Sequence, residues 1–208
     1  MRAQHRRVVA PGEWGPWING GAWLQVEDAK VDLLYRQLPF VRQRAEQARA
    51  GIFSSHYQAG HPSGYHSFQL LAEIAVNQVL SDPTGVLDDL KGLAVPYPEA
   101  LRSSIIDKFV WEANFQLEIL DRTDLGTDPC YEMSALSRFI SCVLQVLYAR
   151  SRIWFLNEKR AMQSLLALGA EVGDLPQRLV HLSQLPEDAV AQARRLLTEV
   201  TEDAGGWS

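Results

Sequence analysis

Long apolar runs are missing from this chain of 208 residues. None approaches the roughly 20 consecutive apolar residues that a bilayer-spanning helix requires, so no membrane span is expected. The opening MRAQHRRVVAPGEW is basic, yet no apolar stretch follows it, and the pattern of a secretory leader is therefore lacking. Cysteine is scarce, with only Cys130 and Cys142. Both fall in one predicted helical stretch, roughly 18 Å apart along its axis at the helical rise, which is beyond the span of a disulfide. Reduced thiols and a cytoplasmic setting are the expectation. Basic charge is also in deficit: 20 Lys and Arg stand against 25 Asp and Glu, for a net charge of −5. Non-specific binding to DNA or RNA needs a broad basic surface and is not expected. A nucleotide carried with magnesium remains compatible, because the metal supplies the positive charge. The sequence has no Ser-His-Asp nucleophile motif, Walker phosphate loop or dinucleotide-binding glycine fingerprint, which removes several common enzyme classes.

What remains is an ordinary globular composition, 47% hydrophobic and 22% charged, enough to bury a full core in one large domain or two small ones. Residues 11–36, PGEWGPWINGGAWLQVEDAKVDLLYR, read as a tight Gly/Trp/Pro turn followed by a β-hairpin. Its strands, Ala22 to Val26 and Val31 to Arg36, are joined around Glu27-Asp28-Ala29-Lys30. In the second strand Val31, Leu33 and Tyr35 share one face, and Asp32, Leu34 and Arg36 share the other. Asp32 and Arg36 can thus point into one cleft. Aspartate is depleted in strands and costly to bury unpaired. Asp32 is accordingly either a site residue held by a partner, metal or solvent, or an edge-strand carboxylate facing water.

The character of the chain changes near residue 95, dividing it into 1–94 and 95–208. In the first part, Val41, Ala45 and Ala48 mark a short amphipathic helix from Pro39 to Ala50, stopped by Gly51. IFSSHYQAGHPSGYHS reads as a short strand leading into a loop broken by Gly60, Pro62 and Gly64. A helix from Phe68 to Leu80 ends at Asp82-Pro83-Thr84-Gly85, and a small helix from Val86 to Leu93 follows. After Pro96-Tyr97-Pro98 the pattern is helical throughout. Leu101, Ile105, Phe109, Ala113, Leu117 and Leu120 define a long helix from Glu99 to about Arg122. Leu136, Ile140, Val143, Leu147 and Ile153 define a second from Tyr131 to about Trp154, and the two should pair antiparallel. Shorter helices are predicted at Glu158 to Leu168, Gln177 to Ser183 and Glu187 to Asp203, with a fraying AGGWS tail. The expected class is α+β: a small mixed layer, then a helical bundle.

Seven segments taken in order carry a resemblance: GEWGPWINGGAWL, VDLLYR, HYQAGHPSG, AEIAVNQVLSDPTGVLDDLK, PYPEALR, KFVWEANFQLE and FLNEK. Over roughly residues 8 to 168 the chain resembles a family of bacterial nucleotidyltransferase-domain proteins, similar in fold to the aminoglycoside and polymerase-β-like nucleotidyltransferases. The resemblance implies a partial nucleotidyltransferase mixed sheet, hairpin plus short helices, followed by a C-terminal helical bundle closing over substrate. It also implies magnesium-dependent transfer of a nucleoside monophosphate from a nucleoside triphosphate, ATP above all, to a hydroxyl on a small molecule or protein. Charge then builds on the attacking and leaving oxygens, so divalent metal held by several carboxylates sits beside the α-phosphorus. In such families two carboxylates come from an Asp-x-Asp after a Gly-Ser turn, and a third from a neighbouring strand. VDLLYR matches the third, which makes Asp32 the implied metal ligand and a candidate base for the acceptor hydroxyl.

The other two carboxylates are not found: the sequence contains no Asp-x-Asp and no Gly-Ser dipeptide. In the family that segment precedes PGEWGPW, where this chain has about ten residues, so the expectation is a truncated gene or an internal start at Met1. A lone carboxylate binds magnesium poorly without further ligands or substrate phosphates. The chain is therefore expected to be weak or inactive as a transferase, or to be a degenerate nucleotide- or partner-binding protein of the same fold. The hairpin edge, lacking its neighbouring strands, is expected to be covered by N-terminal residues or by a second copy in a homodimer.

His56, His61 and His66 recur every five residues. Three histidines can hold zinc, but this spacing is not the helical i, i+4 pattern and no cysteine lies nearby. His56, Gln58 and His61 are read as polar groups lining a nucleotide cleft, against a loop held by its own hydrogen bonds. Lys159, after Asn157 and Glu158, is either a phosphate-binding lysine across that cleft or a solvated residue behind a helix N-terminal signal. For Glu73 and Glu112, flanked by apolar residues, a structural pairing is favoured over a site role. Trp14, Trp17 and Trp23 are read as packing the turn against the sheet, and the two cysteines as small core residues.

Overall fold

The computed structural model describes residues 4–15, 17, 19–58, 60–169 and 172–202, with side chains from residue 8 onward. Pro16 and Ile18 of the Trp/Gly turn, Ala59 of the HYQAGHPSG segment, Asp203 and the AGGWS tail lie outside the described residues. The class is α+β, with two small antiparallel sheets and a set of helices. The chain divides into two compact units, 1–44 and 45–208. The predicted change of character near residue 95 falls inside the second unit.

The first unit is a three-stranded antiparallel sheet of β1 (Gln4–Val9), β2 (Gly20–Val26) and β3 (Ala29–Tyr35), ordered β1-β2-β3. The hairpin is present, but Val26 pairs with Ala29, so the turn is Glu27-Asp28 alone. Glu27 takes the left-handed conformation there, with φ 54°, and Ala29 and Lys30 join the strand. N-terminal residues do cover one edge: β1 pairs with β2, with a register shift between His5 and Arg7. The sequence reading had no strand at Gln4–Val9, because QHRRVV has no apolar alternation and its pairing comes from β2. Gly21 is required where β2 meets β3, since a Cβ there would collide with the carbonyl oxygen of Leu33. Trp14 lies edge-on against Trp23 at 4.5 Å, and buried Trp17 packs on Phe40 at 5.6 Å.

The second unit begins within α1 (Leu38–Arg49), which crosses the division. Gly51, at φ 81°, closes this helix: its N–H reaches the Ala48 carbonyl and the Ile52 N–H reaches that of Gln47. These are the paired bonds of a Schellman close. The stretch expected to be strand and loop is instead a full hairpin, β4 (Ser55–Gln58) with β5 (His61–His66). A bulge between the His56 and Gln58 pairings accommodates Pro62 and Gly64, which is why a Pro/Gly-rich run still forms a strand. Then come α2 (Gln69–Val76), α3 (Val86–Ala94), α4 (Glu99–Asp121), α5 (Pro129–Arg150), α6 (Ala161–Ala167), α7 (Leu175–Leu182) and α8 (Ala189–Thr201).

The two long helices pair antiparallel, with Glu99 meeting Arg152 near one end and Glu112 meeting Arg138 midway. The apolar stripe read from sequence on α4 is buried in full. At about 1.5–3 kcal/mol for each large side chain withdrawn from water, it supplies much of the core's stabilisation. The C-terminal half of α5 departs from simple amphipathicity: Ser141, Cys142, Val143, Gln145, Val146, Leu147, Tyr148 and Ala149 are all buried. Along its length α5 contacts α4, α6, α8 and β5. Both cysteines are free, Cys130 exposed and Cys142 buried. Burial pushes the Cys142 thiol up to about 12. Among the described residues, no helix is long and apolar enough to cross a membrane.

Candidate functional site

Asp32 lies in the middle of β3, directly opposite Trp23 of β2. With Trp23, Leu24, Gln25 and Lys30 it lines a groove of about 290 Å³ in the first unit. β3 is exposed on both faces: Val31, Leu33 and Leu34 are each 40% exposed or more, and Asp32 is exposed with them. Arg36 falls just beyond the strand, where its Nη1 donates to the Tyr35 carbonyl at 3.3 Å. Magnesium wants an octahedron of oxygens, commonly one or two carboxylates together with phosphates and water. This groove brings one carboxylate, the Gln25 amide and the ammonium of Lys30, a competing cation. Those donors alone do not complete a magnesium shell. Glu13, another carboxylate of this unit, is engaged elsewhere, accepting from the Ala10 N–H at 3.0 Å.

In the second unit three of the resemblance-bearing segments meet. The β4-β5 hairpin carries HYQAGHPSG, α4 carries KFVWEANFQLE, and the stretch after α5 carries FLNEK. Glu158 is the pivot. Its Oε1 accepts the Ser63 N–H at 3.1 Å, and its Oε2 lies 3.4 Å from Nδ1 of His61. Burial acts to raise the Glu158 carboxyl, but the bonds from His61 and Ser63 outweigh it and hold the group below its ordinary value. The Ser63 carbonyl in turn accepts from Nη1 of Arg138 on α5, whose Nε donates to Oε1 of Glu112 on α4 at 2.5 Å. Glu112 is thus a paired structural carboxylate. Beside this chain of contacts opens a hollow of about 490 Å³ lined by Pro62, Ser63, Met133, Ser134, Ser137 and Arg138.

The three histidines go to separate partners. His56 Nε2 meets the Ser54 hydroxyl at 2.8 Å, His61 turns to Glu158, and His66 Nδ1 meets the Ser55 hydroxyl at 2.9 Å. Gln58, half-buried, pairs across the hairpin with His61. The His66 ring is sandwiched among Phe68 and Phe109. Burial, with the charges of Arg138 and Lys108, lowers its pKa to about 3. Among the described residues no group of three His, Cys, Asp or Glu side chains is arranged to hold a metal ion.

Lys159 goes elsewhere. Its backbone N–H bonds Oδ1 of Asn157 at 2.9 Å. Its side chain lines a cavity of about 500 Å³ walled by α2, the end of α5, the 152–159 stretch and α6. FLNEK therefore serves two places, Glu158 at the hairpin and Lys159 at the cavity. The sequence singles out Lys159 and not Glu158 or Arg138. Glu158 was within reach, as the acid of a distinctive segment. Arg138 carried no signal, because it lies in none of the seven segments.

No family model, no curated protein and no solved structure matches this chain.

Proposed function

We propose that this protein is a nucleotidyltransferase-like chain that binds a nucleotide or a partner without carrying out the transfer by itself. The observation that carries the reading is the groove at Asp32: one exposed carboxylate with a lysine beside it, in a sequence that has no Asp-x-Asp. An in-line displacement at phosphorus needs the charge on both outer oxygens neutralised, and a single carboxylate does not hold the metal for that. The nucleotidyltransferase ancestry is supported by the order of the seven segments. Three of them, far apart in sequence, also engage one another through Glu158, Ser63, Arg138 and Glu112. Asp32 remains the residue through which a bound nucleoside triphosphate, bringing its own magnesium and phosphates, would meet the sheet.

The test is calorimetric titration of ATP with magnesium into the wild-type protein and Asp32→Ala, alongside an assay for pyrophosphate release with a mixture of hydroxyl acceptors. Saturable ATP binding weakened by Asp32→Ala, with pyrophosphate released no faster than in protein-free controls, supports the reading. Release that requires Asp32 would make the chain a working transferase. Equal ATP binding by both proteins would remove Asp32 from the site.

A further inference from the structure

The cavity beside Lys159 is walled by elements of the second unit, apart from the contacts among Glu158, His61, Ser63 and Arg138 that hold the hairpin. Its volume, about 500 Å³, lies within the range of roughly 300–1,000 Å³ typical of small-molecule sites. The wall is largely apolar, with Val76, Ile153, Trp154, Leu156 and Leu168. Trp154 is fixed from behind by Tyr97, with ring centroids 4.3 Å apart. Such a surface, with Leu168 63% and Val76 50% exposed, gains by covering an apolar ligand body.

The charged groups in its lining, Arg152 and Lys159, are both basic, beside the neutral Tyr148, Asn157 and Ser164. Arg152 also lines the cavity, but Glu99 holds its Nε at 2.6 Å. Lys159 has no acidic partner among the described residues, so a cation on an apolar wall is left without a counter-charge. Asn157 adds an amide, and its Oδ1 is already taken by the Lys159 N–H, which leaves the NH₂ to donate. The segment carrying these groups is bracketed by Arg152 and Arg160, both left-handed, with φ of 53° and 57°. A non-glycine residue in that conformation is strained and persists where surrounding structure enforces it.

We propose that this cavity binds a small amphipathic anion: an aromatic or acyl body on the Trp154, Val76 and Leu168 wall, with one carboxylate or phosphate at Lys159 and the Asn157 amide. This site is separate from the groove at Asp32 and does not depend on the nucleotide reading. Naphthoate and naphthyl phosphate serve as the two anionic probes, with naphthalenemethanol as the neutral control. Binding is followed by isothermal titration and by the change in tryptophan fluorescence.

Both anions should saturate, and the neutral control should bind at least about tenfold more weakly, a gap of 1.4 kcal/mol. Lys159→Gln should bring the anions down to the level of the control, whereas Lys159→Arg should retain most of their affinity. Leu168→Glu, which sets a like charge at an exposed position, should abolish anion binding. Both positions are exposed, so circular dichroism and the melting temperature should stay at wild-type values and separate lost binding from lost fold. Tighter binding of the carboxylate or of the phosphate identifies the preferred headgroup, and either preference supports the site. Unchanged affinity in Lys159→Gln, equal binding of the neutral control, or absence of saturation would overturn the proposal. Displacement of naphthoate by ATP at equimolar concentration would also overturn it, by assigning Lys159 to a nucleotide.

Discussion

A single imidazole shows how strongly packing governs charge in this molecule. His66 lies 5.4 Å from Phe68 in near-parallel stacking and 5.0 Å from Phe109 edge-on. Its backbone N–H donates to Gln69 Oε1 at 2.7 Å. Burial is the main reason its pKa falls to about 3; Arg138, Lys108 and His61 push the same way, and Glu158 opposes them. The unfolded imidazole titrates near 6.5, so between about pH 6.5 and 3 the unfolded chain binds a proton that the folded chain refuses. Stability attributable to His66 is therefore full above pH 6.5 and declines as the pH falls through that window, by an amount on the order of 5 kcal/mol. Glu158, held below its ordinary value, contributes stability that is full above the ordinary carboxylate range and is lost as the pH falls through its lowered pKa. His66→Asn keeps a partner for Ser55 and removes the titration. Urea midpoints at about pH 7.5 and 4.5 should drop steeply for the wild type and far less for the variant. Parallel declines would place the acid sensitivity in other groups.

At the scale of elements, the start of α5 depends on two acids with distinct tasks. Asp128 caps the helix, its Oδ1 accepting the Tyr131 N–H at 3.1 Å. Glu132, only 1% exposed, folds back so that its carboxylate accepts the N–H groups of Gly126, Thr127 and Asp128 at 2.9 to 3.1 Å. Glu132→Ala strands three donors in a tight turn and should cost about 3 kcal/mol in urea unfolding. Glu132→Gln, which keeps an acceptor but loses its charge, should cost about 1 kcal/mol. Equal losses in the two variants would mean that the space Glu132 fills matters more than its bonds. The helix itself was legible, since Leu136, Val143 and Leu147 recur at its period; its start at Pro129 was not. Read from sequence, the first apolar-periodic residues set the boundary near Tyr131, and nothing local showed that Glu132 turns backward. The β4-β5 hairpin is hidden in the sequence for a related reason. Pro62 and Gly64 look like loop residues until a bulge and the anchors at Glu158 and Arg138 give them a place. Asp32 in the first unit and His61 and Lys159 in the second are legible from the sequence as polar residues of the resembling segments. Glu158, the acid of FLNEK, is within reach of the same reading, whereas Arg138 meets Glu112 and Ser63 across long sequence separations that no local pattern encodes.

At the scale of the whole molecule, each unit rests on a different kind of tie. In the second unit, Arg138 joins α5 to α4 through Glu112 and to the hairpin through Ser63. The pair is largely shielded, with side-chain exposures of 25% and 18%. Removing one partner strands the other, at about 3 kcal/mol. Arg138→Met should therefore destabilise strongly, and Glu112→Gln in combination with it should add little, a coupling above about 1 kcal/mol in a double-mutant cycle. Additive losses would mean the two side chains act independently. In the first unit the tie is incomplete: β3 is an edge strand with Val31, Leu33 and Leu34 all exposed. Apolar edges of this kind invite pairing with another strand. We propose a second copy of β3 as that strand, because antiparallel pairing centred on Val31 sets Lys30 of each copy opposite Asp32 of the other. Each opposed pair contributes roughly 0.2–1 kcal/mol, whereas centring on Asp32 would oppose two like charges. Sedimentation over a wide concentration range should show reversible association of the wild type, weakened by Lys30→Asp or by Asp32→Lys alone and restored by the two together. Association that ignores all three changes, or a wild type that stays monomeric throughout, would leave that edge to some other cover.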